Sequence, residues 1–349
     1  MKHLLPSAAL MLLGALSGAT LSANGWNQST GGPAGMWDLS RLRPWKPGAG
    51  DGNYVIGPAY SDAPELTAKP DVPKGTVHHF VMDSRDSAIY PGIAKSAPGQ
   101  VVPYHRNVSV YVPAQYVSGK PAPFLVSQDS MGYGELPTIL DNLIAERRLP
   151  VMVAIMIDSG GGDAQGSERG LEYDTVSGKY AEFIETEVLP RISRDYDVTF
   201  TRDPDGRMTM GGSSGGAAAF TMAWFHPELY HRVLTYSGTY VNQQSPFNPA
   251  SPHGAWEYHE HFILQNRRKP LRIWMEVGEH DLRYTDPEST LHNWPMANER
   301  MAAALAKRHY HYQFVIARDA GHVDGRVFRE TLPAALEWVW KGYRTKNGE

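Results

Sequence analysis

Two serines stand among four glycines in the run Arg207-Met-Thr-Met-Gly-Gly-Ser-Ser-Gly-Gly-Ala-Ala-Ala-Phe220. A short apolar stretch, 208–210, precedes them, and good helix formers, 217–224, follow. This succession predicts a strand, a sharp turn and a helix, with one serine held at the turn in a G-x-S-x-G elbow. The glycines answer a steric need, because a strained serine backbone leaves little room for side chains two residues before and after it. Two registers fit: Gly211-Gly212-Ser213-Ser214-Gly215 makes Ser213 the nucleophile, and Gly212-Ser213-Ser214-Gly215-Gly216 makes it Ser214. Ser213 is preferred, since the strand then ends at Met210 and Gly216 lets the helix pack close to it. A phosphate loop of Walker type needs a lysine after its last glycine, and Ala217 stands there instead.

A serine hydroxyl needs a base beside it, and the base needs a third group to orient it. Asp281 follows the apolar run 273–277 in Gly278-Glu-His-Asp-Leu282, and His322 follows the run 312–316 in Ala320-Gly321-His322. If both runs are strands, Ser213, Asp281 and His322 lie at three separate strand ends in the order serine, acid, histidine. Glu279 and Asp286 are alternative acids, Asp319 is a weaker one, and His280 is an alternative base. Such a relay cleaves an ester through an acyl-enzyme and requires no metal or organic cofactor. The backbone N–H of Ser214 and one from Ser130 or Met131 are expected to hold the oxyanion, each worth about 3 kcal/mol.

The elements that must position these groups are legible in outline. Runs 77–82 and 108–112 alternate in part, as half-buried strands near a sheet edge do. Further strands are expected at 124–126, 151–157, 198–200, 208–210, 233–236, 271–277 and 312–316. Helices are expected at 139–149, 180–192, 217–224, 257–266, 295–308 and 326–340. Alternating strands and helices imply an α/β architecture, a mostly parallel sheet covered on both faces, with ligands at the carboxyl ends of the strands.

Residues 1–23 carry a Lys and a His, then a mostly apolar stretch with small residues at Ser17, Ala19 and Ala23. This reads as a secretory signal peptide, so a periplasmic or secreted protein is expected. Pro6 and the interspersed serines and glycines leave too short an apolar run for a membrane anchor. Residues 24–75 read as an extended Gly/Pro/Trp-rich arm and linker whose Trp26, Trp37 and Trp45 pack onto the catalytic domain, 76–343; residues 344–349 form a polar tail. The chain has no cysteine, which permits an oxidising compartment without requiring one. A net charge of −4 and the lack of a basic run argue against nucleic acid or an anionic membrane as partner.

The elbow run, with Pro227-Glu-Leu-Tyr-His-Arg-Val233 and Ser237-Gly238, resembles the Putative esterase family of α/β-hydrolases. That family includes enterochelin-esterase-like proteins, with feruloyl esterases and mycolyltransferases more distant. The resemblance extends through Gln128-Asp129, Arg169-Gly-Leu-Glu-Tyr-Asp174, Leu189-Pro190, Asn293-Trp294 with Ala297-Asn298, and Leu332-Pro-Ala-Ala-Leu-Glu-Trp338, and so covers 76–343. It implies the α/β-hydrolase fold and a Ser-Asp-His carboxylesterase carried by Ser213, Asp281 and His322. One departure concerns the oxyanion loop, where Ser130 stands in place of a frequent glycine.

Arg169, Glu172 and Tyr173 follow the strand ending at Ile157 and are candidates to line a substrate pocket; Tyr133 and Trp294 are candidates for an aromatic wall. The segment 242–256, with Pro246, Pro249 and Pro252, is an insertion where a lid belongs. His253, His259, Glu260 and His261 invite a metal, but their spacing fits no strong ligand motif, and none is expected. The expected substrate is a small-molecule or oligosaccharide ester, either an acylated carbohydrate or a hydroxycinnamoyl conjugate. A siderophore trilactone, acyl transfer and non-catalytic glycan binding are the alternatives.

Overall fold

The computed structural model describes residues 37–93, 100–162 and 166–344. The signal peptide expected over 1–23 lies outside them, as do Trp26 and residues 345–349 of the tail. The strands are β1 (Arg43–Pro44), β2 (Gly52–Ile56), β3 (Thr76–Asp83), β4 (His105–Val112) and β5 (Phe124–Gln128). They continue with β6 (Val153–Ile157), β7 (Arg207–Gly212), β8 (Arg232–Tyr236), β9 (Arg272–Gly278) and β10 (His311–Ala317). The helices are α1 (Leu136–Ala145), α2 (Glu168–Tyr173), α3 (Lys179–Phe183), α4 (Leu189–Tyr196) and α5 (Ser214–Phe225). Beyond these come α6 (Ile263–Gln265), α7 (Trp294–Lys307) and α8 (Gly325–Trp340).

All ten strands join one sheet in the order β1-β2-β10-β9-β8-β7-β5-β6-β4-β3. Pairings from β1 through β6 in that order are parallel, while β3–β4 and β4–β6 are antiparallel. The central strands β5, β6 and β8 are buried at every residue, as continuous apolar runs covered on both faces require. β3 is half exposed throughout, which suits its place at the sheet edge. One core cluster packs α5 and α7 on one face of the sheet, and a second packs α1 and α8 on the other. This is the α/β-hydrolase fold.

Three expectations need correction. The arm is not a linker ahead of the sheet, because β2 lies within it and pairs with β10 from Gln313↔Gly52 to Ala317↔Ile56. Trp37 and Trp45 are buried, as the arm reading requires. The helix expected over 180–192 passes through a π-helical turn at Ile184–Val188. Pro190 lies just beyond that turn; it has no N–H to give, and the widened turn leads the chain into it. The run 198–200 makes only a single bridge, Ala122↔Phe200.

Candidate active site

β7 ends at Gly212, and Ser213 follows at φ 56°, ψ −129°, before α5 begins at Ser214. A positive φ is costly for a serine, so the surroundings must enforce it. The Ser213 carbonyl accepts the N–H groups of Gly216 (3.0 Å), Ala217 (3.1 Å) and Thr239 (3.0 Å), while its own N–H donates to Tyr236 O at 3.0 Å. Close packing sets the demand for glycine: a β-carbon on Gly211 would fall 2.4 Å from Gly215 C and O.

The hydroxyl at this turn meets an imidazole. His322 Nε2 lies 2.8 Å from Ser213 Oγ, and His322 Nδ1 lies 2.6 Å from Asp281 Oδ1. Asp281 is buried, and Oδ1 also accepts the Leu282 N–H at 2.6 Å. An ionised carboxylate accepts only, so Nδ1 carries the hydrogen and Nε2 is left as the acceptor for the serine proton. In this geometry the imidazole can draw the proton from Ser213 as its oxygen attacks. Ser214 is fully buried, and its Oγ lies 3.4 Å from Gln243 Nε2 instead. The structure therefore brings together Ser213, Asp281 and His322. It leaves the competitors outside: Glu279 Oε2 accepts the Asp319 N–H, His280 faces Asp319, and Asp286 pairs with Arg283.

Trp294 is buried, with its ring 6.1 Å from that of His322 at 87° and its Nε1 donating to Thr239 Oγ1 at 3.3 Å. It braces the histidine and offers no open wall to a ligand. The oxyanion loop also differs from expectation. Ser130 N–H donates to Ile157 O at 3.1 Å, and Met131 N–H to Gln128 O at 3.2 Å, so both of these donors are engaged. The physical reason is the backbone: Asp129 and Ser130 both take positive φ, 54° and 48°, and fold the loop onto β6. That conformation also accounts for a glycine preference at 130; here Ser130 Oγ is held by Asp158 Oδ1 at 2.5 Å. Ser214 N–H, at the first position of α5, has no protein acceptor among the described residues.

The three residues of the Arg-Gly-Leu-Glu-Tyr-Asp signature separate. Glu172 is buried and takes two hydrogen bonds from Arg106, at 2.9 Å and 2.5 Å, and one from Tyr104 at 2.8 Å. Tyr173 is buried too, its hydroxyl accepting the Asp129 N–H at 3.2 Å. Neither can touch a substrate; Tyr173 braces the loop that carries Asp129, and Glu172, which also accepts the Gly160 N–H at 3.1 Å, braces the segment after β6. Arg169 remains partly accessible and pairs with Asp129 Oδ2 at 2.7 Å. Tyr133 is half exposed and lines a groove of about 490 Å³ with His79, Asn107, Ser109, Ser130 and Asp158.

Sequence reasoning missed Asp174 and Gln243. Asp174 lies wholly buried, Gln243 Nε2 donates to its Oδ2 at 3.0 Å, and Oδ1 has no partner among the described residues. Burial pushes this carboxyl up to about 6. Glu276, near Asp281, is likewise buried, with no hydrogen bond to its oxygens among the described residues, and burial followed by the Asp281 charge holds it well above the usual carboxylate range. A polar residue in the last register positions of an apolar strand was the available signal for Glu276.

Fold and elbow together define an α/β-hydrolase, and the sequence matches agree. The family described as Putative esterase matches residues 100–339, and the chain belongs to that family. A protein of Bacillus subtilis (strain 168), described as "Uncharacterized protein YbbA", is 24% identical over 249 residues, which is 68% of this chain and 93% of that protein. Among solved structures, the enterobactin esterase FES of Shigella flexneri superposes with a TM-score of 0.52 at 18% identity, over 79% of this chain and 61% of that longer one. The CE1 ferulic acid esterase of the anaerobic fungus Anaeromyces mucronatus gives 0.56 at 14% identity, over 81% and 96%.

Proposed function

We propose that this protein is an exported serine carboxylesterase of polar esters. The observation that carries the reading is the hydrogen-bonded relay Ser213–His322–Asp281, at 2.8 Å and 2.6 Å, behind a serine held at positive φ. His322 takes the Ser213 proton as the oxygen adds to the ester carbonyl, and Asp281 fixes the imidazole tautomer and stabilises the imidazolium. The Ser214 N–H receives the developing oxyanion. His322 then returns the proton to the leaving alcohol, and a water activated by the same imidazole releases the acid.

The groove beside Tyr133 supports a substrate of mixed polarity. Its lining sets the rings of Tyr133 and Phe80 and the side chains of Val81 and Val108 among Asn107, Ser109 and Asp158, which suits an ester with both a ring and polar groups, such as an acylated carbohydrate or a hydroxycinnamoyl conjugate. The enterobactin and ferulic acid esterases of similar fold fit the same range and keep a siderophore lactone as the second substrate class. The apolar stretch ahead of the fold supports export.

Labelling with a fluorophosphonate, followed by mass spectrometry of the adduct, tests the assignment. Wild type and Ser214→Ala should carry the adduct on Ser213, and Ser213→Ala should carry none. Folded wild type that resists the probe would sink the esterase reading and favour a glycan-binding role for the cleft.

A further inference from the structure

The insertion after β8 holds a cluster that the serine relay does not use. His253 in the loop, Glu257 at its end and Glu260 in the π-helical turn Tyr258–Phe262 present ligand atoms within 4.8 Å of one another, and His261 of the same turn flanks both carboxylates. His253 Nδ1 lies 2.8 Å from Glu260 Oε2 and 3.8 Å from Glu257 Oε1. His261 Nε2 lies 3.7 Å from Glu257 Oε2 and 3.8 Å from Glu260 Oε2. Three of these four separations are too long for hydrogen bonds. They are close to the spacing of about 3.4 Å between neighbouring ligands around a tetrahedral ion with bonds of about 2.0–2.1 Å.

Charge points the same way. The Glu257 side chain is only 4% exposed. Its Oε1 accepts the His253 backbone N–H at 3.3 Å, and its Oε2 receives no hydrogen bond from the described residues. Among the described residues, neither Glu257 nor Glu260 has a Lys or Arg within ion-pair distance. The nearby Arg300 stacks over Trp256 and pairs with Glu288 at 2.6 Å. A buried carboxylate is paired or binds a metal, and Glu257, beside the partly exposed Glu260 and two imidazoles, suits a dication. The π-helical turn adds the extra residue that sets Glu257, Glu260 and His261 beside His253, and such turns often occur at functional sites.

We infer that His253, Glu257, Glu260 and His261 bind one divalent transition-metal ion of the zinc type. Two imidazoles with two carboxylates match zinc better than magnesium or calcium, which prefer all-oxygen shells. His253, Glu257 and Glu260 supply three ligands, and the half-exposed His261, turning in, supplies the fourth that closes a tetrahedral shell, so the ion is structural. It ties the insertion to the helix that follows. That insertion reaches the nucleophile's surroundings, Gln243 through Asp174 and Ser214, and Gln244 Oε1 through the Val176 N–H at 2.7 Å.

The test is titration of the chelator-stripped full chain with zinc chloride by calorimetry, with thermal unfolding in parallel. One equivalent should bind and raise the unfolding midpoint. His253 and His261 are 41% and 48% exposed, so His253→Ala and His261→Ala should fold. Each should weaken zinc binding by more than about 100-fold, beyond the 10- to 100-fold that loss of an outer partner costs. Glu257→Gln, which keeps the shape, should do the same. Hydrolysis of a model ester by the stripped enzyme should stay within about two-fold of wild type, because a serine relay moves its protons between hydroxyl, imidazole and leaving group without a metal. No stoichiometric uptake by wild type, or equal uptake by the histidine variants, would overturn the site. Loss of hydrolysis on stripping that zinc restores would overturn its structural role.

Discussion

Asp174 sits out of solvent beneath the nucleophile-bearing helix, and its environment makes a prediction about pH. Burial pushes the carboxyl from 3.8 up to about 6, while hydrogen bonds from Gln243 and Ser214 and the charge of Arg169 pull it back in part. The folded protein thus keeps this proton to a higher pH than the unfolded chain does. Its contribution to stability is complete below about pH 4 and is lost as pH rises through about 6. Two pKa units correspond to roughly 3 kcal/mol. Asp174→Asn retains an acceptor for Gln243 and removes the titration. Urea midpoints measured from pH 4 to 7 should fall with pH in wild type and much less in Asp174→Asn. Parallel curves would show that Asp174 is not the group responsible. At this scale the sequence revealed Ser213, Asp281 and His322, because each follows an apolar run that the fold turns into a strand. It concealed the roles of Glu172 and Tyr173, whose burial depends on Arg106 and Asp129, far off in the chain.

The relay works only if the loops after β9 and β10 meet. They do so across Gly278, where a β-carbon would lie 2.4 Å from Gly321 O and 2.5 Å from Ala320 O. Asp281 and His322 are carried on these two loops, so the glycine sets the distance between acid and base. Gly278→Ala forces backbone apart, not the end of a side chain, and overpacking of this kind costs about 1–3 kcal/mol. The variant should remain folded by circular dichroism, and its kcat should fall by more than about 100-fold, as a displacement of about 1 Å at the reacting groups can cost. Wild-type kcat in folded Gly278→Ala would mean that the loops do not depend on this contact. The strands and long helices were legible because apolar period and length agree. The oxyanion loop was not, since the consecutive positive φ values of Asp129 and Ser130 leave no mark in a pattern of polar residues. The π-helical turns were equally hidden, being changes of winding within helices whose apolar pattern continues.

At the scale of the whole molecule, the segment 37–75 is part of the sheet and part of the core. Low periodicity and many glycines made it read as an arm, because a strand as short as β2 takes its identity from the partner it pairs with. Gln313 of β10 shows the integration: its Oε1 accepts from Trp45 Nε1 at 2.9 Å and Trp274 Nε1 at 2.8 Å, and its Nε2 donates to Ala49 O and Gly50 O. The Trp37 ring meets Phe314 edge-on at 5.3 Å, and the Trp37 backbone N–H donates to Glu299 Oε1 at 3.1 Å. Farther along, Asn142 of α1 donates to Glu65 O and Thr67 O, so the segment is fastened on both faces of the sheet. A chain beginning at residue 76 would expose the β10 edge, an unpaired row of N–H and C=O groups that invites aggregation. It would also lose the packing of two buried tryptophans, each worth about 3–5 kcal/mol when truncated. Against a typical total stability of about 5–15 kcal/mol, that loss is enough to unfold the domain. Size-exclusion chromatography and thermal unfolding of the 76–349 and 37–349 chains provide the comparison. The longer chain should elute as a discrete species and unfold cooperatively, and the shorter should aggregate or melt without a transition. A soluble 76–349 chain with the midpoint of the longer one would show that β2 and its tryptophans are dispensable, and that the sheet is complete at β10.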